Sequence, residues 1–385
     1  MAPIIRHNKE AQLVDTGASP GPQRSYLGPA SPYQVLAAKN ATLRLRAPSG
    51  HVFSFTDLTS AHGAVNFGHL NPAIDPLIGL ASDVTPGFYP PAAAAHAAWL
   101  CRQLKLEAHA ATYQVGADAA VASAVRIAQR ARPGKALIIA GSVHAGSVNA
   151  GLDRAHIAPG SDFAAWQDIS CLIYEPIQSA SGYIPLPLPW LRGLSQSAQA
   201  AGVTVIADEI SYGFYRFGKL SMAASEYLRP DIFLFGNSMT NGLYPLAAIV
   251  YPKDMPSEGF NDAAQWPDPF QTSALGFLAA DAVARYIDDA DVESQIVQLN
   301  GILSESGERL AANSRLGAFH LAGPTLSLEV RGQRAGELAA SCRTRGVLVG
   351  ASVDGHRVII APPITISPDQ LTNAMNILEL AAGAL

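Results

Sequence analysis

Residues 172–252 constrain the fold of this chain more than any other stretch. Two short apolar, β-branched runs within it end on polar residues: residues 203–207 lead into Asp208, and residues 232–235 lead towards Asn237. Continuous apolar runs of this length are typical of strands buried on both faces of a parallel sheet. Ligands of open α/β sheets bind outside the carboxyl ends of such strands. We therefore expect Asp208 and Asn237 to lie at the floor of a site.

The same alternation of apolar runs and amphipathic stretches continues over most of the chain. Strands are predicted at residues 42–46, 52–55, 136–140, 171–174, 203–207, 232–235, 246–251, 326–330, 347–349 and 358–360. Helices are predicted at residues 92–106, 118–130, 190–201 and 275–287. A turn sequence, PSG at residues 48–50, joins the first two strands into a predicted hairpin. Alternating strands and helices indicate an α/β fold with a mostly parallel sheet covered on both faces.

The length of 385 residues allows a large domain and a smaller one. We place the large, ligand-binding domain at residues 62–289. A smaller α+β domain would combine residues 1–61 with residues 290–385. With 49% apolar and only 15% charged residues, we expect a large core or a broad subunit interface.

Charge and composition exclude several classes of function. A net charge of −5 offers no basic surface for nucleic acid. No apolar run reaches the ~18 residues of a membrane helix, and no secretory signal is visible, so we expect a cytoplasmic protein. The three cysteines, Cys101, Cys171 and Cys342, are far apart, which predicts buried thiols and no metal site.

Five motifs, spread in order over almost the whole chain, resemble those of the class III aminotransferases, which are pyridoxal-phosphate enzymes of fold type I. They are NFGHLNP at residues 66–72, EPIQ at 175–178, DEISYGFYRFGKL at 208–220, PFQTSALGFLAADA at 269–282 and APPITIS at 361–367. The resemblance implies a homodimer with its site at the subunit interface. It also implies a small amine or amino acid as the substrate.

The resemblance assigns Asp208 to the ring nitrogen of pyridoxal phosphate. The cofactor withdraws electrons only while that nitrogen stays protonated, and a buried carboxylate keeps the proton there by charge pairing. A plainer reading is a strand-end aspartate that caps a turn. Glu175 and Gln178, from the EPIQ motif, are expected to line the same cofactor site.

The phosphate of the cofactor needs backbone N–H donors at a helix N-terminus. Gly116, Ala117 and Asp118 occupy the place of the family's glycine-rich turn, although Ala117 stands where a hydroxyl residue is usual. The alternative is an ordinary helix start capped by Asp118. Thr272 resembles the family threonine that reaches a phosphate across the dimer interface, and its alternative is a turn residue.

The catalytic lysine of the family is missing. It would stand 29 residues after Asp208, and that position is Asn237. An amide cannot form a Schiff base and does not shuttle protons. Two further positions depart from the family pattern: Val143 replaces the aromatic residue that stacks on the cofactor, and Ser211 replaces a glutamine near its phenolic oxygen. His144, beside Val143, is a candidate replacement base or an inherited framework residue.

Three readings of these departures remain open. The chain could be an unusual aminotransferase that uses untethered pyridoxal phosphate or its amine form. It could instead be a catalytically dead homologue with a binding or structural role, or an engineered lysine variant of an active enzyme. Because Ala117, Val143 and Ser211 depart together with Asn237, natural divergence fits better than a single engineered change.

Overall fold

The computed structural model describes residues 34–74, 90–141, 154–179, 181–226, 228–255 and 269–385. Its central feature is a seven-stranded sheet, whose strands lie in the order His109–Val115, Leu246–Pro252, Ile232–Phe235, Thr204–Glu209, Ile169–Tyr174, Lys135–Ile139 and Arg154–Ile157. Only Leu246–Pro252 runs against its two neighbours in this sheet; the other described pairs are parallel. The predicted α/β fold with a mostly parallel sheet is therefore confirmed.

Apolar side chains cover both faces of this sheet. Along the strand Thr204–Glu209, Ile206 packs with the buried face of the helix Ala117–Ala131. Its neighbours Val205 and Ala207 point to the opposite face and join a larger cluster there. Successive strand residues alternate between faces, so a strand covered on both sides needs apolar residues at every position.

Helices surround the sheets and complete the fold. They span Ser60–Gly63, Pro91–Gln103, Ala117–Ala131, Leu188–Ala200, Met222–Ser225, Ala274–Asp289, Val292–Ala311, Ala335–Thr344 and Pro368–Gly383. Short 3₁₀ turns span Trp166–Asp168, Asn237–Thr240, Pro269–Thr272 and Arg331–Gln333. No helix of the described residues is long and apolar enough to cross a membrane.

Three smaller sheets hold the other strands of the described residues. The predicted hairpin is present: Thr42–Arg46 pairs antiparallel with Val52–Asp57, in a sheet that also contains Gln34–Lys39 and Val347–Leu348. A second sheet has the order Leu316–Ala322, Thr325–Val330, Arg357–Ile360 and Gly350–Ala351, and the two-stranded one pairs Ile177–Gln178 with Ile184–Pro185. The N-terminal hairpin thus pairs with a C-terminal strand, and the domain boundaries at residues 61/62 and 289/290 stay a prediction.

Sequence patterns missed several strands and misplaced one strand end. The edge strand His109–Val115 was not predicted, because its alanines and histidine have little strand preference and its pairing partners in Leu246–Pro252 lie 131 to 143 residues further along the chain. The strand Thr204–Glu209 also continues through the acidic pair that was expected to follow it. Of the three cysteines, Cys171 and Cys342 are buried, whereas Cys101 is only half-buried.

Candidate active site

Asp208 is a buried carboxylate with one unused oxygen. Its side chain is 1% exposed, and Oδ1 accepts a hydrogen bond from the Ile210 N–H at 3.1 Å. Oδ2 has no hydrogen-bond partner among the described residues. The pKa of Asp208 is raised to about 7, mainly by burial; the hydrogen bond from the Ile210 N–H opposes this rise, and the charges of Glu209 and Asp118 contribute to it. A buried oxygen without a donor indicates a position for a ligand group that brings a proton.

Glu175 lies beside Asp208. Tyr174 pairs with Ala207 in the parallel sheet, so the next residue on each strand comes to the same edge. The Glu175 side chain is fully buried, and its Oε2 accepts hydrogen bonds from the Ser179 N–H at 3.2 Å and the Ser179 hydroxyl at 2.8 Å. Burial and the charge of Asp208 raise the pKa of Glu175 to about 7. The two carboxyls therefore disfavour each other's ionisation.

Glu209 does not share this position, although it adjoins Asp208 in sequence. Its carboxylate accepts hydrogen bonds from the Ser221 hydroxyl at 2.6 Å and from the N–H groups of Met222 at 2.8 Å and Ala223 at 2.9 Å. It thus holds the start of the helix Met222–Ser225. Adjacent strand residues point to opposite faces, so only Asp208 of the pair is available for the candidate site.

Asn237 begins the turn that follows the strand Ile232–Phe235. Its backbone has a φ of 43°, in the left-handed region where asparagine is among the few tolerated side chains. The side chain is half-buried and makes no hydrogen bond within the described part of the chain. Its carboxamide is therefore available to a ligand.

Gly63 joins the segment after Asp208 to the Asn237 turn. The Ser238 hydroxyl donates a hydrogen bond to the Gly63 carbonyl. A Cβ on Gly63 would lie 2.7 Å from the carbonyl oxygen of Ser211. The structure thus brings Asp208, Ser211 and Asn237 into one neighbourhood, as the positions of the strand ends predicted.

Gly116 leads into the helix Ala117–Ala131 with a φ of 88°, and no heavy atom of the described residues would lie within 4 Å of a Cβ placed on it. The N-cap position belongs to Gly116 and has no side-chain hydrogen bond, so the alternative in which Asp118 caps this helix is wrong. Asp118 lies in the first helical turn. First-turn N–H groups have no partner inside a helix and suit an anion.

Four other residues were predicted to belong to the site: Gln178, Thr272, Val143 and His144. Thr272 ends the turn Pro269–Thr272, which packs against the strand leading into Gly116, and its side chain is 1% exposed. Gln178 donates a hydrogen bond from Nε2 to the Ala140 carbonyl and so supports the end of a strand. Val143 and His144 lie outside the described residues.

Sequence reasoning missed Tyr212, whose ring is fully buried next to the two carboxyls. Burial and the charges of Glu175 and Asp208 raise its pKa well above the ordinary value. Its hydroxyl interacts with Glu175 and opposes the rise in the pKa of that carboxyl. In the sequence, Tyr212 has the character of a buried core residue. Only its position directly after Ser211 indicates that it lies near the candidate site.

Comparison with known proteins identifies the family. The family described as aminotransferase class-III matches residues 162–382, more than half of the chain. The chain belongs to the class-III aminotransferase family. Members of this family use pyridoxal phosphate.

Individual relatives agree with this family. An ornithine aminotransferase of Oceanobacillus iheyensis is 25% identical over 389 residues, which cover 90% of this chain and 94% of that protein. The mitochondrial ornithine aminotransferase of Arabidopsis thaliana is 28% identical over 229 residues, 55% of this chain and 45% of that protein. This chain thus spans about half the length of several curated relatives that it matches. The crystal structure of an acetylornithine aminotransferase from Elizabethkingia anophelis shares the fold, with a TM-score of 0.78, 20% identity and coverage of 94% of this chain and 97% of that one.

The candidate site has two features that suit the family cofactor. The buried Oδ2 of Asp208 has no described hydrogen-bond partner and suits a protonated ring nitrogen. At the helix start after Gly116, no described atom lies within 4 Å of a Cβ built on Gly116, and the first-turn N–H groups there suit a phosphate. At the Asn237 position, an amide of this kind gives a ligand hydrogen bonds and no covalent link.

Proposed function

We propose that this class-III aminotransferase-like protein binds pyridoxal phosphate or its amine form without a covalent link. It would act on a small amine or amino acid, with ordinary transamination impaired. The observation that carries the proposal is the buried, unpartnered Oδ2 of Asp208 beside a turn whose amide side chain is available. Burying an unpaired polar atom costs about 1–3 kcal/mol, and a protonated ring nitrogen would remove that cost.

Each residue has a part in the proposed binding. Asp208 holds a proton on the ring nitrogen, and the N–H groups that follow Gly116 bind the phosphate together with Thr272. Ser211 and Asn237 would contribute further hydrogen bonds. The bound cofactor would supply an electron sink for bonds to the carbon that carries the substrate amine.

The same arrangement explains why turnover should be slow. An asparagine at position 237 neither anchors an aldehyde nor moves a proton to and from the substrate carbon. Loss of one positioned general acid–base group typically lowers a rate by ~10²–10⁴-fold. His144 is our candidate for a replacement base.

A catalytically dead homologue with a binding or structural role is the main alternative. The departures at Ala117, Val143 and Ser211 favour it, because they reduce stacking and hydrogen bonding to a cofactor as well as proton transfer. They also favour natural divergence over an engineered lysine-to-asparagine variant, which would leave these positions unchanged.

We also propose that the protein assembles as a homodimer with the site at the subunit interface. The exposed alanines of the helix Pro91–Gln103 and the adjoining edge strand His109–Val115 support this, because together they form an alanine-rich concave surface, which Arg102, Glu107 and Lys253 border. Light scattering at micromolar concentration tests the dimer, and a monomer would contradict it.

Titration of the purified protein with pyridoxal phosphate tests the binding proposal. We expect a change in visible absorbance, saturable binding by calorimetry and no adduct after borohydride reduction. Asp208→Asn should weaken binding at least tenfold, because a neutral amide loses the charge pairing with a protonated ring nitrogen. Absence of binding at millimolar ligand would support the dead homologue, and a reduced adduct on one specific lysine would show that the tethering residue lies elsewhere.

A further inference from the structure

A second cavity, of about 300 Å³, lies where segments distant in sequence meet. It opens between residues 39–40, the loop at residues 67–72, the helix residue Tyr286 and Thr365. Asn40 Nδ2 donates a hydrogen bond to the Thr365 carbonyl at 2.8 Å, and the Thr365 hydroxyl donates to Asn40 Oδ1 at 2.6 Å. No residue assigned above to the cofactor lines this cavity within the described chain, and its volume suits a small organic molecule.

His69 lines the cavity, and a buried acid holds its ring. Its Nε2 lies 2.9 Å from Oδ2 of Asp57, which is 1% exposed. Asp57 Oδ1 accepts hydrogen bonds from the Thr59 N–H at 2.8 Å and from the Thr59 hydroxyl at 2.6 Å. Burial acts to raise the pKa of Asp57, but the hydrogen bonds from His69 and Thr59 outweigh it and lower that pKa below its ordinary value. Asp57 therefore stays ionised, keeps a proton on Nε2 and stabilises the imidazolium form of His69.

The neutral polar side chains that line the cavity are already engaged. Asn40 and Thr365 bond each other. Asn71 donates from Nδ2 to the Phe67 carbonyl at 2.8 Å, and its Oδ1 accepts a hydrogen bond from a backbone N–H two residues further on at 3.0 Å. The Tyr286 hydroxyl interacts with Asn71. These groups shape the cavity and leave the recognition of a ligand to its cationic residues.

Two cationic groups remain for a ligand. Lys39 is exposed and forms no ion pair within the described residues. The Nδ1 atom of His69 makes no hydrogen bond in that part of the chain either. No aspartate or glutamate of the described chain lines the cavity, because Asp57 lies behind the ring on the side of Nε2. Two cations without a lining acid attract an anion.

Aromatic and apolar side chains supply the rest of the wall. The Tyr286 ring packs on Phe67, with ring centroids 5.3 Å apart, and Leu70 is 61% exposed at the same cavity. Asn241 holds this wall in place, since its Oδ1 accepts a hydrogen bond from the Phe67 N–H at 3.1 Å and its Nδ2 donates to the Gly68 carbonyl at 3.0 Å. A preformed wall of this kind reduces the ordering that binding requires.

We propose that this cavity binds a small carboxylic acid with an apolar body, and that it does so independently of the cofactor. The carboxylate accepts hydrogen bonds from the Nδ1–H of the His69 imidazolium and from the Lys39 ammonium group. The apolar body packs beside Tyr286 and Leu70. The proton on Nδ1 comes from solvent when the ionised acid binds, while Asp57 keeps its hydrogen bond to Nε2.

Three probes separate the charge from the apolar body. Calorimetric titration of the full-length protein at neutral pH compares 3-phenylpropanoate, the neutral 3-phenylpropanamide and inorganic phosphate. We expect saturable binding of 3-phenylpropanoate. The amide should bind at least about tenfold more weakly, because it loses the charge-assisted hydrogen bonds, and phosphate should bind at least about tenfold more weakly, because it has no apolar part.

Two variants assign the binding to this cavity. Lys39→Glu reverses an exposed charge, so the fold should persist while the affinity for 3-phenylpropanoate falls at least about tenfold. His69→Gln keeps a donor for Asp57 but cannot carry a positive charge, and it should weaken binding by a similar factor. Lys219→Glu and His51→Gln, at exposed residues that do not line the cavity, are the matched controls and should leave the affinity unchanged.

Several outcomes would overturn this inference. No saturable binding of 3-phenylpropanoate, equal affinity for the acid and the amide, or unchanged binding in Lys39→Glu would each show that the cavity does not select such an anion. If His69→Gln does not fold, Lys39→Glu decides the question by itself. Pyridoxal phosphate should bind Lys39→Glu and the unmodified protein equally, so this inference and the cofactor proposal can fail separately.

Discussion

Gly63 lies so close to Ser211 that a Cβ on Gly63 would come within 2.7 Å of the Ser211 carbonyl oxygen. Its own carbonyl accepts the hydrogen bond from the Ser238 hydroxyl. One glycine therefore connects the loop that follows Asp208 with the turn that begins at Asn237. The relative position of these two candidate ligand-binding residues depends on this contact.

Gly63→Ala should destabilise the protein and disturb ligand binding together. Gly63 has a φ of 82°, and the added methyl group would meet backbone that cannot rotate away. Gly50→Ala is the matched control, because Gly50 has a φ of 85° and a Cβ on it would meet no atom of the described chain within 4 Å. We expect a loss of about 1 kcal/mol at Gly50 and at least ~2 kcal/mol more at Gly63, measured by urea unfolding. Equal losses would show that the close contact is not rigid.

Asp208→Asn should stabilise the ligand-free protein at alkaline pH. Burial raises the folded-state pKa of Asp208 from 3.8 to about 7. A raised pKa means that the folded state binds the proton more tightly, so the stability from this group is complete below the unfolded pKa and is lost as pH rises to about 7. The asparagine variant has no proton to lose, so its free energy of unfolding does not fall in this way. The difference in free energy of unfolding in favour of the variant should grow by about 2–3 kcal/mol between pH 5 and pH 8.

Thermal and urea unfolding at both pH values would measure this change. Asp289→Asn, at an exposed acid ending the helix Ala274–Asp289, is the control and should show no comparable growth. If the advantage of Asp208→Asn is the same at pH 5 and pH 8, then burial is not holding a proton on Asp208.

Asn237→Lys should restore a covalent link to pyridoxal phosphate but only weak occupancy. A lysine there stands at the end of a strand next to Asp208, yet Ala117 and Val143 still lack the hydroxyl and the aromatic ring of the family pattern. Each such contact contributes roughly 1–3 kcal/mol, so their loss weakens binding by powers of ten. Borohydride reduction followed by mass spectrometry would detect the link.

Adding Ala117→Ser and Val143→Tyr to Asn237→Lys should raise occupancy more than additively, because all three groups hold one ligand. Full occupancy and brisk turnover of the single Asn237→Lys variant would contradict the view that the cofactor contacts at several positions have been lost. It would show instead that a lone substitution separates this chain from an ordinary aminotransferase.

Arg216→Met should cost about 3 kcal/mol or more. Arg216 is 1% exposed and donates to the Asn66 side chain and the Pro362 carbonyl, so methionine would leave those buried acceptors unpaired. Arg285, two-thirds exposed on a helix, is the matched control, and Arg285→Met should change stability by less than about 0.5 kcal/mol. Similar losses in both variants would mean that the Arg216 hydrogen bonds contribute little.

The class of fold and the closeness of the two candidate site residues Asp208 and Asn237 could be predicted from the sequence. The apolar runs at residues 203–207 and 232–235 are covered on both faces in the structure, and their ends bring Asp208 and Asn237 together. Both conclusions depend on local patterns, since strand alternation and apolar content are properties of neighbouring residues. The motifs identified the family for the same reason, because each is contained in a short stretch.

Tertiary structure decided which polar residues can meet a ligand. The sequence presents Asp208 and Glu209 as an equivalent pair, whereas the opposite faces of one strand give Glu209 to the helix Met222–Ser225 and leave Asp208 free on one side. Whether a carboxyl is charged depends on burial and on acids that are distant in sequence, and Glu175 next to Asp208 is such a case. The sequence does not give the distances between such carboxyls, so only the folded structure determines the electrostatics of this site.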